Sequence, residues 1–326
     1  MSFTGILLAG GRSSRFKFNK LKIEINSVPL FIDQIFKLSF FCREILICAS
    51  RNNSSIISDY LTEIDKYFDY IKEFFNRLFI KNGNLKDIFF NNFRVPEIKI
   101  IEDDYKNFNR IISGSAGNIN NINDISNGNY SLEYNSGLSG SAVSSPLLGI
   151  YSGLKKASHS YSIILAFDMP FVSYRLLKML ADCAGIIKNY STNNSNKKNF
   201  KFKKAEKEKD ICIVKTNKGF EALCGLYSKN CIDTIRENIK KGDHKISNIF
   251  STLTVEVMKE NKLKLKNIDN LNFFNINRTG DYKQFIEIWE SKVTDVEKSE
   301  NREKTLKSVK NLKRNFFEKW MSFYFR

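Results

Sequence analysis

The chain has 326 residues and a formal net charge of +17, and its 42 % hydrophobic content supplies ample core for a folded globular protein of one large domain or two smaller ones. No apolar run approaches the roughly 20 residues of a membrane span, and the short N-terminal apolar segment lacks the basic flank of a signal peptide, so a cytoplasmic protein is expected. The charge suits nucleic acid, an acidic membrane surface or phosphorylated small molecules, and alone selects none of them.

In chain order, the runs "TGILLAG" (4–10), "EILICAS" (44–50), "EIKIIED" (97–103) and "SIILAFD" (162–168) are β-prone and end in a small or acidic residue. Such continuous apolar runs suit parallel strands covered on both faces. Helical spacing falls between them: Phe31, Ile35 and Leu38 in 29–41, then "PLLGIYSGLKKA" after residue 145, then 173–184 with Ser173 as N-cap. The order predicts an α/β fold, a Rossmann-like doubly wound and mostly parallel sheet flanked by helices. The second half adds strands at 210–216, 222–228, 253–258 and 273–277, and helices over 229–240 and 279–289, extending the sheet with more mixed directions.

Three low-complexity insertions interrupt this order, at about 60–95, 106–144 and 186–209. The first has room for an inserted helix and the second, rich in Asn, Ser and Gly, reads as a loop. The third holds eight lysines against two glutamates, six of the seventeen surplus charges, and reads as a solvated loop. The folded domain is expected over 1–292 and a charged, aromatic helical tail over 293–326, in which Phe316, Phe317, Trp320, Phe323 and Tyr324 share a face suited to a membrane surface or partner, or to docking on this domain or a second copy. The six cysteines form no CxxC pair and read as small buried hydrophobes in a reducing compartment; His159 and His244 read as surface residues.

The chemistry concentrates in "LLAGGRSSRFKFNK" (7–20) and "LAFDMPFVS" (165–173). Ligands of open α/β sheets sit beyond the carboxyl ends of strands, where Ala9, Gly10 and Gly11 let backbone N–H groups approach phosphate oxygens. Arg12, Arg15 and Lys20 supply cations within reach of a triphosphate. The loop is neither a Walker A motif nor GxGxxG. Asp168 ends the fourth strand ahead of Pro170; alone it could cap the next helix, but beside the glycine–lysine loop a carboxylate at that buried edge favours a cation, naturally the Mg2+ that accompanies a nucleotide.

With these residues in place, the chain resembles the molybdenum cofactor guanylyltransferases of the MobA-like nucleotidyltransferase group. The family pattern LAGGxSxRMGxxK is met by "LAGGRSSRFKFNK" except at its Met-Gly pair, here Phe16-Lys17. Further matches follow in order: "NSVPLF", Asp103 in "IIEDD", "SPLLG" (145–149), "FDMPF" (167–171) and "FFNINRTGDY" (273–282). The resemblance implies transfer of GMP from GTP to the terminal phosphate of molybdopterin carrying molybdenum, with release of pyrophosphate. It assigns Leu8, Ala9, Gly10, Gly11, Lys20 and Asp103 to the nucleotide, Asp168 to both Mg2+ and the nucleotide, Arg15 to the departing pyrophosphate, and Asn275 and Asn277 to the pterin or phosphates. Ser50 stands where the family has a guanine-contacting asparagine, with Asn52 and Asn53 beside it.

GTP and the pterin cofactor are thus the expected small-molecule partners, with a molybdenum enzyme or chaperone as protein partner and no nucleic acid. Three other readings stand beside this one: a relative that transfers a cytidylyl or uridylyl group to another phosphate or sugar phosphate, a nucleic-acid-binding protein, and an inactive homologue. The lysines cluster in low-complexity loops and no RRM, KH or helix-turn-helix pattern is present, which argues against nucleic acid.

Overall fold

The computed structural model describes residues 2–10, 19–25, 28–69, 95–102, 145–183 and 209–300. Six wholly buried residues, Phe3–Leu8, form β1 inside a seven-stranded sheet. Their continuous apolar character follows from cover on both faces: Phe3 and Leu7 enter one core, Ile6 and Leu8 the other. A two-stranded hairpin, β2 (Glu24–Ile25) with β3 (Val28–Pro29), precedes helix α1 (Leu30–Ser39). The chain returns as β4 (Cys42–Ala49), parallel to β1, and leaves through α2 (Arg51–Leu61). Strand β5 (Glu97–Glu102) then pairs parallel with β4.

Helix α3 (Pro146–Lys156) carries the chain to the opposite side of β1, where β6 (Tyr161–Ala166) pairs parallel with it. This reversal makes the β1/β6 boundary a switch point, where open sheets bind ligands beyond the strands' carboxyl ends. After α4 (Tyr174–Cys183), β7 (Ile211–Thr216) and β8 (Gly219–Ser228) form an antiparallel hairpin with β8 against β6. Then come α5 (Cys231–Lys240), β9 (Val255–Lys259) parallel to β7, α6 (Glu260–Lys264) and α7 (Thr279–Glu300). The strand order is β5-β4-β1-β6-β8-β7-β9, and among the described strands of this sheet only β8 runs against the rest.

Residues of α1, α2, α4 and α7 pack on one face of the sheet, and those of α3 and α5 on the other. Two glycines permit close approach. A Cβ on Gly153 of α3 would stand 2.7 Å from Ile6 Cγ2, and one on Gly5 of β1 would meet Leu38 Cδ1 at 3.2 Å. The caps follow from sequence: Ser145 Oγ accepts from Leu147 N with Pro146 opening α3, and Ser173 Oγ accepts from Leu176 N at the start of α4.

The expected doubly wound, mostly parallel sheet is present, and several details differ. Residues 274–277 form no strand; they follow a 3-10 turn (Asn270–Phe273), and Ile276 N donates to Asp168 O at 3.0 Å, so the segment docks on a turn instead of a ladder. Helix α7 runs to Glu300, past the expected end at 289 and across the expected boundary at 292. The six cysteines are not all unpaired, because a disulfide joins Cys183 of α4 to Cys212 of β7; the other four are buried thiols. Two well-separated cysteines of different elements leave no spacing signal. His159 and His244, expected at the surface, are partly exposed, with His159 Nδ1 3.0 Å from Thr4 Oγ1.

The insertion at 106–144, most of that at 186–209, residues 70–94 of the first insertion and the aromatic face near 316–324 lie outside the described residues. Among the described residues, no helix is long and apolar enough to cross a membrane.

Candidate active site

Strands β1 and β6 end side by side, with Leu8 opposite Ala166. The backbones stay joined one step further, Phe167 N donating to Leu8 O at 3.2 Å. Phe167, Met169, Phe171 and Val172 are buried, so the chain leaving β6 anchors itself with apolar side chains on either side of Asp168. Asp168 is left at the carboxyl edge of the sheet with its side chain 16 % exposed.

Lys20 reaches the same point from the other side. It opens a 3-10 turn (Lys20–Lys22) that is capped by Asn19 Oδ1, which accepts from Leu21 N at 3.0 Å, and is anchored by the buried Leu21. Its ammonium donates to Asp168 Oδ2 at 3.1 Å and to Asn277 Oδ1 at 3.2 Å. Asn277 is held in turn by α7. Asp281 Oδ2, in the first turn, accepts the N–H groups of Asn277 and Arg278, each at 2.8 Å, as the acid of a capping box does.

Burial pushes the Asp168 carboxyl above the usual aspartate value, and the Lys20 ammonium opposes that shift. The edge therefore disfavours a bare negative charge and rewards a cation. Two oxygens, one from a carboxylate and one from an amide, already converge on a single positive group. That sparse oxygen set fits Mg2+, which keeps waters and substrate phosphates in its shell and takes one or two protein ligands. Among the described residues there is no group of three or more His, Cys, Asp or Glu that could enclose a metal unaided, so substrate oxygens would have to complete the shell.

The other residues singled out by sequence fall as follows. Leu8 closes β1; Ala9 N donates to Cys48 O at 2.8 Å, and Ala9 O accepts from Asn53 Nδ2 at 2.8 Å. Gly10 is exposed at the same edge. Ser50 sits at the N-cap of α2, where its hydroxyl makes no capping bond. Asn275 Nδ2 donates to Phe273 O at 3.1 Å. Gly11, Arg12, Arg15, the Phe16-Lys17 pair and Asp103 lie outside the described residues.

Asn53, considered from sequence as a stand-in for a guanine contact, uses both ends of its amide on the protein: besides Ala9 O, its Oδ1 accepts from Asn19 Nδ2 at 3.5 Å. Asn19 and Asp281 escaped the sequence reading altogether. Their signals are local capping patterns, an Asn two residues before a buried Leu and an acid at the third helical position.

Comparison with known proteins bears on the fold and the family resemblance. Residues 139–257 match the model of the MobA-like NTP transferase domain. The resemblance to the MobA-like NTP transferases holds. A molybdenum cofactor guanylyltransferase of Desulfosudis oleivorans is 28 % identical over 131 residues, 40 % of this chain and 54 % of that protein. A protein named as a probable molybdenum cofactor guanylyltransferase in Natranaerobius thermophilus is 29 % identical over 141 residues, covering 43 % of this chain and 58 % of the relative. The chain thus spans little more than half the length of the curated relatives it matches. Among solved structures, molybdopterin-guanine dinucleotide biosynthesis protein A of Archaeoglobus fulgidus aligns with a TM-score of 0.50 at 18 % identity, over 89 % of this chain and 100 % of that one. The architecture is an α/β nucleotidyltransferase fold, and the MobA-like match covers α3, β6, α4, β7, β8, α5 and part of β9.

Proposed function

We propose that the protein transfers GMP from GTP to the terminal phosphate of molybdopterin carrying molybdenum, with release of pyrophosphate. The observation that carries this reading is the convergence of Lys20, Asp168 and Asn277, separated by 148 and 257 residues in sequence, on one point beyond the β1/β6 boundary. The guanylyl specificity is supported by the names of the curated relatives and by the AGG form of the first turn.

In the reaction, an oxygen of the acceptor phosphate forms a bond to the α-phosphorus of GTP while the bond to the β-phosphate bridging oxygen breaks. The acceptor is itself an anionic nucleophile, so no His or Cys base is required, and positioning and charge stabilisation supply the rate. Asp168 and Asn277 would hold Mg2+, which when bound supplies positive charge to the phosphate oxygens. Lys20, on the flexible stem of a lysine, moves from carboxylate to phosphate and offsets the repulsion between two anions. Asn53 ties Ala9 to Asn19, so Gly10 and Lys20, which follow them, would meet the same phosphates. Asp281 fixes the backbone of Asn277 and so aims its side-chain oxygen.

GTP and the pterin phosphate are the partners this reading names, and a molybdenum enzyme or chaperone receives the product. The compartment proposed is the cytoplasm, where the Cys183–Cys212 bond would form against a reducing poise.

The test is pyrophosphate release with molybdopterin as acceptor and each of the four nucleoside triphosphates. A clear preference for GTP, dependent on Mg2+, is expected. A strong preference for CTP would move the protein to the cytidylyl-transferring relatives, and no release with any nucleotide would favour the inactive homologue.

A further inference from the structure

The turn that presents Asp168 is fastened from three directions. Phe167 N donates to β1, Ile276 N donates to Asp168 O, and Asn272 Oδ1 accepts from Ser173 N at 2.8 Å. The carbonyl of Pro170, at the turn's buried centre, is met by a charged side chain: Lys37 Nζ of α1 donates to Pro170 O at 2.7 Å. Lys37 is almost fully enclosed, and the same ammonium stands 2.9 Å from Asp33 Oδ2 one helical turn earlier, each side chain being 2 % exposed.

An enclosed ion pair is an expensive way to satisfy one carbonyl. Taking both charges out of water is costly before their attraction offsets it, and apolar residues of similar size often do as well or better for stability. Burial pushes the Asp33 carboxyl up to about 6 and the Lys37 ammonium below the usual lysine value, each opposed by the other's charge. The pair sits on the helix facing the Asp168 turn and reaches it at a backbone atom two residues past the carboxylate. Proline makes the contact directional: Pro170 has no N–H and a fixed φ, so its carbonyl is its one polar handle, and a donor there pins the chain immediately after Asp168.

We propose that Lys37, charged and oriented by Asp33, is a positioning residue that locks the 167–173 turn and thereby aims the Asp168 carboxylate. Lys37 touches no substrate. It acts through the Pro170 carbonyl, and Asp33 keeps its ammonium charged and directed. The inference rests on the functional reading above only for its kinetic consequence; the locking of the turn stands independently.

The test uses the full chain and the variants Lys37→Met and Asp33→Leu/Lys37→Met. Lys37→Met alone leaves Asp33 buried without its counter-charge and loses stability; the double variant removes both charges and restores most of it. In the double variant, amide hydrogen exchange in peptides covering 167–173 is expected to accelerate about ten-fold or more, with β1 and β4 unchanged. Pyrophosphate release should fall in kcat by about ten-fold or more, with KM for the nucleotide within about two-fold, because a loosened Asp168 misplaces the reaction without releasing the nucleotide. Unchanged exchange over 167–173 in a folded double variant overturns the proposal. A wild-type protein that releases no pyrophosphate overturns the functional reading and leaves the exchange result to decide this one.

Discussion

Lys20 Nζ stands 3.1 Å from Asp168 Oδ2 and 3.2 Å from Asn277 Oδ1, so one ammonium bridges the loop after β1, the turn after β6 and the approach to α7. The Asp168→Asn substitution keeps the size of the side chain and removes its charge. Pyrophosphate release is expected to fall about 100-fold or more, with the thermal midpoint close to that of the wild type. Activity within two-fold of wild type would remove Asp168 from the metal role.

The acid limb follows from the same carboxyl. Burial raises the Asp168 value and Lys20 opposes the shift. The metal-binding carboxylate is therefore lost, as pH falls, at a value above the ordinary aspartate range. Mn2+ affinity of the protein, followed by water proton relaxation between pH 4 and 8, should weaken with an apparent pKa above 3.8. In Lys20→Met the limb should move higher still, since the opposing charge is gone. A limb at or below the ordinary value would contradict the burial account.

At the opposite edge of the sheet, Glu44 is 3 % exposed and accepts from Thr4 Oγ1, Ser158 N and Ser158 Oγ, each at 2.9 Å. Burial raises its carboxyl, but these donors and the Lys99 charge together bring it below the usual glutamate value. Its stabilising contribution is accordingly present above the unfolded value of 4.5 and is lost as pH falls through the lowered folded value. Glu44→Gln should cost about 1–3 kcal/mol in urea unfolding at pH 7, less below pH 4, and leave pyrophosphate release unchanged. Equal stability of the two proteins at pH 7 would show that the network contributes nothing.

Thiol chemistry reports the Cys183–Cys212 bond. Denatured without reductant, the protein should titrate four thiols, Cys42, Cys48, Cys224 and Cys231, and six after reduction. The bond closes a 29-residue separation, so replacing both partners by Ala should lower stability by about 3 kcal/mol. Six thiols before reduction would show the pair open.

The sheet was legible because buried parallel strands write themselves as unbroken apolar runs: "GILL" and "IILA" fall within β1 and β6 as expected. The meeting of Asp168 and Lys20 was legible because the ends of two neighbouring parallel strands, each followed by a polar turn, come out on the same edge of the sheet. The 273–277 segment was misread as a strand because "FFNIN" alternates like one, while its partner is a turn 100 or so residues earlier, which no local pattern encodes. The Asp33–Lys37 pair was silent for a related reason. At i and i+4 on a helix, an acid and a base usually lie on the solvated face, and only the packing of α1 over the Asp168 turn puts these two inside.

The central claim is that Asp168 and Asn277 exchange the Lys20 ammonium for a divalent cation when nucleotide binds beyond β1 and β6. A crystal structure with GTP and Mg2+ tests it directly. The account predicts the metal on Asp168 Oδ2, the triphosphate over Ala9 and Gly10, and Lys20 Nζ on a phosphate oxygen. A nucleotide bound away from the carboxyl ends of β1 and β6, with the Lys20–Asp168 contact intact, would contradict it.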